Sequence, residues 1–260
     1  MQSSRRARAG PSRLSGRKRR PRPRGAARCV SPPGGSGAVK LTLQQVLAIV
    51  QKDFTVEMRA RDLLVLMLTF AVLSLVIFYL ALDLWGPVVQ QVGPGLMWLT
   101  ITFAAMLGMG RTFVREHEQG TLPGLLLAPI DRGALFIGKL VANLLFLFIM
   151  EAVTLPMFAL LFNLPVLRPS VLLITVLGTL GLAILGTMFS AMAAHSRARE
   201  ALLPLLLLPT TVPIIIGAVQ ATSNAISGAA DGPPWLGLLI AFDVIFLTLA
   251  YLLFEHAIEG

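Results

Sequence analysis

The chain has 260 residues, of which 55% are apolar and 13% are charged, with a mean hydropathy of +0.77. Soluble globular domains carry about 25% charged residues, so this composition excludes an ordinary soluble domain and indicates a membrane protein. The single cysteine, Cys29, excludes a disulfide framework and a cysteine-based zinc or redox site.

The excess positive charge is confined to the N-terminal segment. Residues 1–39 hold 11 Lys and Arg and no acidic residue, whereas residues 40–260 hold 11 Lys and Arg against 13 Asp and Glu. Residues 1–38 also contain five prolines and no aromatic residue, which predicts a disordered basic tail. Three interpretations stay open: an over-extended gene start, an organelle transit peptide, and a segment that binds anionic membrane lipid. Because no aromatic residues interleave the basic ones, we expect no nucleic-acid partner.

Residues 39–62 predict an amphipathic helix that lies in the plane of the membrane interface. Leu43, Leu47, Val50 and Phe54 recur at helical spacing and form its apolar stripe. The predicted opposite face is polar and carries Gln44, Gln45, Gln51, Lys52 and Asp53. The alternative is a helix that packs on a soluble partner protein.

Six later segments are apolar and long enough to cross about 30 Å of hydrocarbon. They are residues 63–82, 94–110, 135–162, 171–193, 201–219 and 235–254. Residues 63–258 therefore predict an all-α, polytopic membrane domain of six transmembrane helices, with both termini on one side. Lys and Arg concentrate before the first span, between spans two and three, and between spans four and five, which predicts cytoplasmic termini.

Three of the spans carry features that are unusual in a membrane helix. Glu151 and Asp243 lie near the middle of spans three and six, where a carboxyl group is costly unless it is paired or protonated, so both should face the bundle interior. They suit either a polar pathway or conformational latch, or an internal hydrogen-bond tie. Span five contains prolines that predict a kinked helix, a candidate gate, packed on protein along at least one face: Pro204, Pro209 and Pro213.

Span four repeats small residues every four positions, which predicts close helix packing rather than a substrate groove. These residues are Thr175, Thr179, Ala183, Thr187 and Ala191, beside Gly178, Gly186 and Ser190.

The connection between spans two and three predicts a contact for a partner protein. Residues 111–118 are rich in charge where a helix leaves the membrane. Gly120 is suited to end that helix, and Thr121 can cap a second short helix that returns to the bilayer. The predicted contact residues are Arg115, Glu116, Glu118, Gly120 and Thr121. The alternative is an ordinary loop between two helices.

The same connection reads R-E-x-E-x-G-T-L-x-x-L-L-L-x-P-x-x-R-x-x-L-x-x-G-K from Arg115 to Lys139. This pattern resembles the corresponding connection of ABC-2-type permeases, the membrane halves of ABC exporters. More narrowly, residues 43–258 resemble the CcmB family, the heme exporter protein B permeases of cytochrome c maturation. The proline-spaced fifth span and the total length carry that narrower resemblance. Pro123 departs from it, since the family usually has an acidic residue at that position.

The resemblance implies a permease subunit of an ABC transporter for c-type cytochrome biogenesis, located in the bacterial inner membrane. It implies two partners, a separate ATPase subunit that binds ATP and a heme-handling membrane protein, with heme as the molecule handled. An organelle inner membrane is the alternative location if the tail is a transit peptide. The alternative functions are an ABC-2 exporter of a drug, lipid or glycan, and a membrane scaffold without a transport cycle.

Neither catalysis nor a directly bound cofactor is expected in this chain. Residues 133–139 match the phosphate-binding pattern G-x-x-x-x-G-K, but Leu140 follows where Ser or Thr would bind Mg²⁺. His117, His195 and His256 fall at the predicted cytoplasmic ends of spans and lack a heme-attachment pattern. No nucleophile–base pair or metal cluster is recognisable, so ATP hydrolysis is expected on the partner chain.

Overall fold

The computed structural model describes residues 35–81, 87–118, 132–193, 199–228 and 234–257. Within these ranges the chain forms seven α-helices and no β-strand, which confirms the predicted all-α fold. The helices are α1 (Gly35–Ala60), α2 (Asp62–Ala81), α3 (Pro87–Glu118), α4 (Arg132–Phe162), α5 (Pro169–Ala193), α6 (Arg199–Ser227) and α7 (Trp235–Ala257). Residues 1–34 of the predicted tail lie outside the described residues.

Six of the described helices, α2 to α7, are long and apolar enough to cross a membrane. Their apolar stretches are Asp62–Ala81, Val88–Gly110, Gly133–Phe162, Pro169–Ala193, Pro204–Ser227 and Trp235–Leu253. The six predicted spans are confirmed, and the orientation of the termini stays a prediction.

Two predicted span boundaries were wrong. α3 begins at Pro87 rather than near residue 94, because proline is well suited to the first turn of a helix, where its missing N–H has no intrahelical partner. α6 continues to Ser227 rather than to residue 219. It ends where Gly228 adopts a φ of 74° and donates its N–H to the carbonyl of Asn224 at 2.9 Å.

Helix α5 lies at the centre of the bundle and packs against α3, α4, α6 and α7. In its most apolar 18-residue stretch 72% of the residues are buried, whereas in that of α7 only 17% are buried. Glycines make the close packing possible: Trp98 of α3 lies against Gly178, and Met109 of α3 lies against Gly186. A side chain at either glycine would collide with its neighbour, so the predicted packing role of span four is confirmed.

Helix α1 packs against α4 and meets α2 at a sharp turn. Arg61 has a φ of 61° at this turn, and its N–H donates to the carbonyl of Glu57 at 2.6 Å. The buried carboxylate of Glu57 accepts a hydrogen bond from the N–H of Leu63 at 2.7 Å. That bond satisfies a donor in the first turn of α2 and thereby helps to set the angle between the two helices.

The surface of α1 differs from the predicted division into one apolar and one polar face. Ile49, Asp53 and Glu57 point toward the bundle, so the prediction that grouped Asp53 with the polar residues opposite the apolar stripe was wrong. Leu43 and Leu47 of the predicted apolar stripe are 58% and 59% exposed. Periodicity alone could not separate a face that packs on the bundle from one that is apolar and exposed. The location of α1 in the membrane interface stays a prediction.

Candidate functional site

Three buried polar side chains lie along α4. Asn143 lies about one turn after Lys139, and Glu151 lies eight residues further along the helix, rotated by about 80° from Asn143. All three are at least 97% buried. Polar groups in a membrane-spanning helix are costly unless they are paired, and each of these three has a polar partner on another helix.

Two of these contacts join α4 to the central helix α5. The hydroxyl of Thr179 donates to Oε1 of Glu151, and Nδ2 of Asn143 donates to Oγ1 of Thr187 at 2.9 Å. Eight residues separate the two positions on each helix, so both bonds form only in one antiparallel register. Glu151 faces the bundle interior as predicted, and a role for it in a polar pathway or latch stays a prediction.

The third contact is an ion pair between α4 and α1. Nζ of Lys139 lies 2.7 Å from Oδ2 of Asp53, and the two side chains are 1% and 10% exposed. Oδ1 of Asp53 also lies 3.1 Å from Nζ of the exposed Lys52. Sequence reasoning missed the pair between α1 and α4, whose members are 86 residues apart. The available signal was Lys139 itself, because a lysine inside an apolar helix requires a partner for its charge.

Hydrogen bonds of Trp98 and Ser190 connect α3 to α6 and to α5. The indole N–H of the fully buried Trp98 donates to Oγ1 of Thr222 on α6 at 3.0 Å. The hydroxyl of Ser190 on α5 donates to the carbonyl of Met109 at 3.1 Å. The contact of Trp98 was not predicted from the sequence. Its signal was an indole in the middle of a span, since a buried Trp N–H usually finds an acceptor.

Asp243 of α7 is buried in the bundle interior, as predicted, but it is not paired. It is 5% exposed, and neither carboxyl oxygen has a hydrogen-bond partner among the described residues. Oδ1 lies against Gly181 of α5, where a methyl group on the glycine would stand 2.7 Å away, and Ile214 of α6 closes the same spot. The absence of a side chain at Gly181 is therefore what admits the carboxyl group.

The two buried carboxyl groups are not brought together. Glu151 contacts Thr179 and Asp243 contacts Gly181, two positions further along α5. Positions two apart in a helix are rotated by about 200° around the helix axis and differ by about 3 Å along it. The two acids therefore occupy different sides of α5 at nearly the same depth.

The predicted contact for a partner ATPase is described only in part. Arg115, Glu116 and Glu118 lie on the last turns of α3, which continues eight residues past the apolar stretch that ends at Gly110. Gly120 and Thr121 lie outside the described residues.

The three prolines of span five all lie inside one continuous helix, α6. The second and third of them are exposed, whereas other faces of α6 pack against α3, α5 and α7. Between those two prolines, the hydroxyl of Thr210 donates to the Leu206 carbonyl at 2.9 Å, and that of Thr211 donates to the Leu208 carbonyl at 3.0 Å. The predicted protein packing of this helix is confirmed. The kink and the gate at Pro204, Pro209 and Pro213 stay predictions.

The described part of the chain contains no group of three or more His, Cys, Asp or Glu residues that could hold a metal ion. His117 and His256 lie on the last turns of α3 and α7, and His195 lies outside the described residues.

The sequence model of the family described as CcmB protein matches residues 44–260, which include most of α1 and all six membrane-length helices. The chain belongs to the CcmB protein family. The resemblance seen in the sequence is thereby confirmed. The ion pair between Lys139 and Asp53 and both buried carboxyl groups lie within the part that the CcmB match covers.

Several CcmB relatives carry the name heme exporter protein B. The protein from Pseudomonas aeruginosa is 30% identical over 187 residues, which cover 70% of this chain and 83% of the relative. The protein from Rhodobacter capsulatus is 29% identical over 190 residues, 72% of this chain and 86% of the relative. The protein from Paracoccus denitrificans is 29% identical over 212 residues, 81% of this chain and 95% of the relative.

Proposed function

We propose that this chain is the permease subunit of an ABC transporter for c-type cytochrome biogenesis. In this proposal it couples ATP hydrolysis by a separate subunit to heme export or delivery across the membrane. The observation that carries the proposal is the CcmB match over residues 44–260, together with the relatives named heme exporter protein B. A bundle with six membrane-length helices suits a permease subunit, and ATP hydrolysis is assigned to the partner chain.

The proposed location is the bacterial inner membrane, with both termini in the cytoplasm. The Lys and Arg residues before α2, at the end of α3 and the start of α4, and at Arg197 and Arg199 around the start of α6 support this orientation. A reporter enzyme that is active only outside the cytoplasm tests it. Fusions after Leu167 and Gly232 should be active, and a fusion after His195 should be inactive. The opposite pattern would reverse the topology and exclude a cytoplasmic ATPase at the end of α3.

The end of α3 is the proposed contact for the ATPase, through Arg115, Glu116, Glu118, Gly120 and Thr121. Eight helical residues beyond Gly110 extend about 12 Å, which is enough to carry the charged turns out of the hydrocarbon. Glu116 and Glu118 are two positions apart in the sequence, and positions two apart in an α-helix are rotated by about 200° around its axis. Carboxylates that project from the membrane can accept charge-assisted hydrogen bonds from Arg or Lys of a docking protein.

A pull-down of the ATPase tests this contact. Removing one partner of a buried, hydrogen-bonded charge pair at an interface costs about 2–5 kcal/mol, so Glu116→Ala combined with Glu118→Ala should weaken ATPase binding at least about tenfold. Gly120→Val should weaken it as well, if Gly120 ends the helix in a left-handed conformation. Lys52→Ala, at an exposed charge on α1, is the control and should leave binding unchanged. Normal ATPase binding by both test variants would move the contact elsewhere.

Deletion of the gene tests the function as a whole. Covalent heme attachment to c-type cytochromes should be lost in the deletion strain, assembly of other heme proteins should continue, and the full-length gene should restore attachment. Normal attachment in the deletion strain would refute the proposal. In that case a co-purifying ATPase would favour an ABC-2 exporter of a drug, lipid or glycan, and the absence of one would favour a membrane scaffold.

A further inference from the structure

The last helix, α7, is the least enclosed of the six membrane-length helices. It contacts the bundle at glycines on three different helices, where the missing side chain leaves room for a side chain of α7. Leu239 lies against Gly217 of α6, Asp243 against Gly181 of α5, and Tyr251 against Gly133 of α4. Because α7 contacts the bundle mainly at these glycines and is otherwise exposed, it can separate from the bundle with less loss of buried surface than any other membrane-length helix.

Asp243 lies at the centre of this interface, and both of its oxygens are shielded without a hydrogen-bond partner in the described residues. The surrounding helices supply no counter-charge at that position. α5 contains no ionisable residue, and the only charged residues of α6, Arg199 and Glu200, lie about 21 Å along the helix from Ile214, which contacts the same spot.

The remaining ionisable groups of α4 and α7 either have another partner or lie far along their helix from Asp243. On α4, Lys139 is paired with Asp53, and Glu151 accepts a hydrogen bond from Thr179. Arg132 is the first residue of α4, at the end of the helix remote from Glu151. On α7, Tyr251, Glu255 and His256 lie at least two turns beyond Asp243. An ionised carboxylate without a partner is strongly unfavourable in such an environment, whereas a neutral carboxyl group is tolerated.

We propose that Asp243 is a proton-binding site that controls the docking of α7. With a proton bound to one carboxyl oxygen, the neutral side chain rests against Gly181 and α7 is docked on α5. When the proton leaves, the carboxylate moves out of the interface toward water or a polar partner, and α7 separates from α5. The ligand is a proton because the carboxyl oxygens are closed off by Gly181 and Ile214. This inference does not depend on which molecule the protein exports.

Infrared spectroscopy of the full-length chain in lipid nanodiscs tests proton binding, because a protonated carboxyl group has a carbonyl band that ionised carboxylates lack. One component of this band should disappear in Asp243→Asn and remain in Glu151→Gln, the matched control for a second buried carboxyl group. Raising the pH should remove the same component from the wild type. Identical bands in the wild type and Asp243→Asn at every pH would overturn the proposal, and so would loss of the component on adding sodium at constant pH.

A distance measurement tests docking. Spin labels at Ile245→Cys on α7 and Leu173→Cys on α5, in a Cys29→Ser background, lie at exposed positions on the two helices. The distance should lengthen over the pH range in which the band component disappears, and Asp243→Asn, which stays neutral, should hold the short distance throughout. A fixed distance in the chain with native Asp243, or an equal shift in Asp243→Asn, would overturn the proposal. If Asp243→Asn fails to fold, the titration of the chain with native Asp243 decides alone.

Discussion

The ion pair between Lys139 and Asp53 allows a quantitative test of how α1 is held to the bundle. Nζ and Oδ2 are 2.7 Å apart, and the lysine side chain is 1% exposed. Breaking a buried ion pair by removing one partner costs about 3–5 kcal/mol, because the remaining charge stays buried without compensation. Asp53→Asn removes the acidic partner of the buried Lys139, so we expect it to lower the free energy of unfolding by about 3 kcal/mol.

Removing the lysine instead of the aspartate should lower the free energy of unfolding by less, because the two partners differ in their surroundings. Lys139→Met leaves Asp53, which is 10% exposed and retains Lys52 at 3.1 Å. We expect that variant to lose about 1 kcal/mol, the upper range for an exposed pair. The double variant Asp53→Asn with Lys139→Met has no buried charge at this site, and its stability should lie within about 1 kcal/mol of the wild type. Lys52→Met, at a 43% exposed side chain, is the control and should change stability by less than about 0.5 kcal/mol.

The assay is unfolding of the full-length chain in mixed micelles, by titration with a denaturing detergent followed by circular dichroism. Hydrogen exchange of the α1 amides, measured in parallel, shows whether α1 detaches from α4. The reasoning is refuted if Lys139→Met destabilises more than Asp53→Asn. It is also refuted if the double variant is as unstable as Asp53→Asn alone, because the buried charge of Lys139 would then not be the cause.

Three further predictions concern the central helix and the tail. Gly178→Ala places a methyl group on the ring of Trp98 and should destabilise by about 1–3 kcal/mol in the same assay, and a neutral result would mean that the ring moves aside freely. Thr179→Val removes the donor to Glu151 and should cost about 1–3 kcal/mol, whereas in a Glu151→Leu background the same substitution should cost less, because no buried acceptor is left without its donor. Deletion of residues 1–38 should leave membrane insertion and complex formation intact if the tail is an over-extended start, whereas mislocalisation of a folded protein would support the transit-peptide interpretation.

The sequence by itself determined where the chain crosses the membrane. The length of an apolar stretch is a local property, and the thickness of the hydrocarbon sets the length that is needed, so six spans could be located without any tertiary information. The small residues of span four also predicted a tightly packed helix from local sequence alone, because Gly178 and Gly186 lack the side chains that would keep neighbouring helices apart. The depth of Glu151 and Asp243 likewise predicted that both face the interior.

Only the tertiary structure decided which groups meet inside the bundle. Asp53 and Lys139 are 86 residues apart, and Trp98 and Thr222 are 124 residues apart. Their pairing depends on how each helix is rotated and on its register with its neighbours, which many side chains set jointly. Helical periodicity grouped Asp53 with the polar residues opposite the apolar stripe of α1, because periodicity counts apolar residues and carries no information about a buried lysine on another helix. The rotation of α5 about its axis also decides what the two buried acids contact. Glu151 meets a hydrogen-bond donor, Thr179, on one side of α5, and Asp243 meets Gly181, which has no side chain, on the other side.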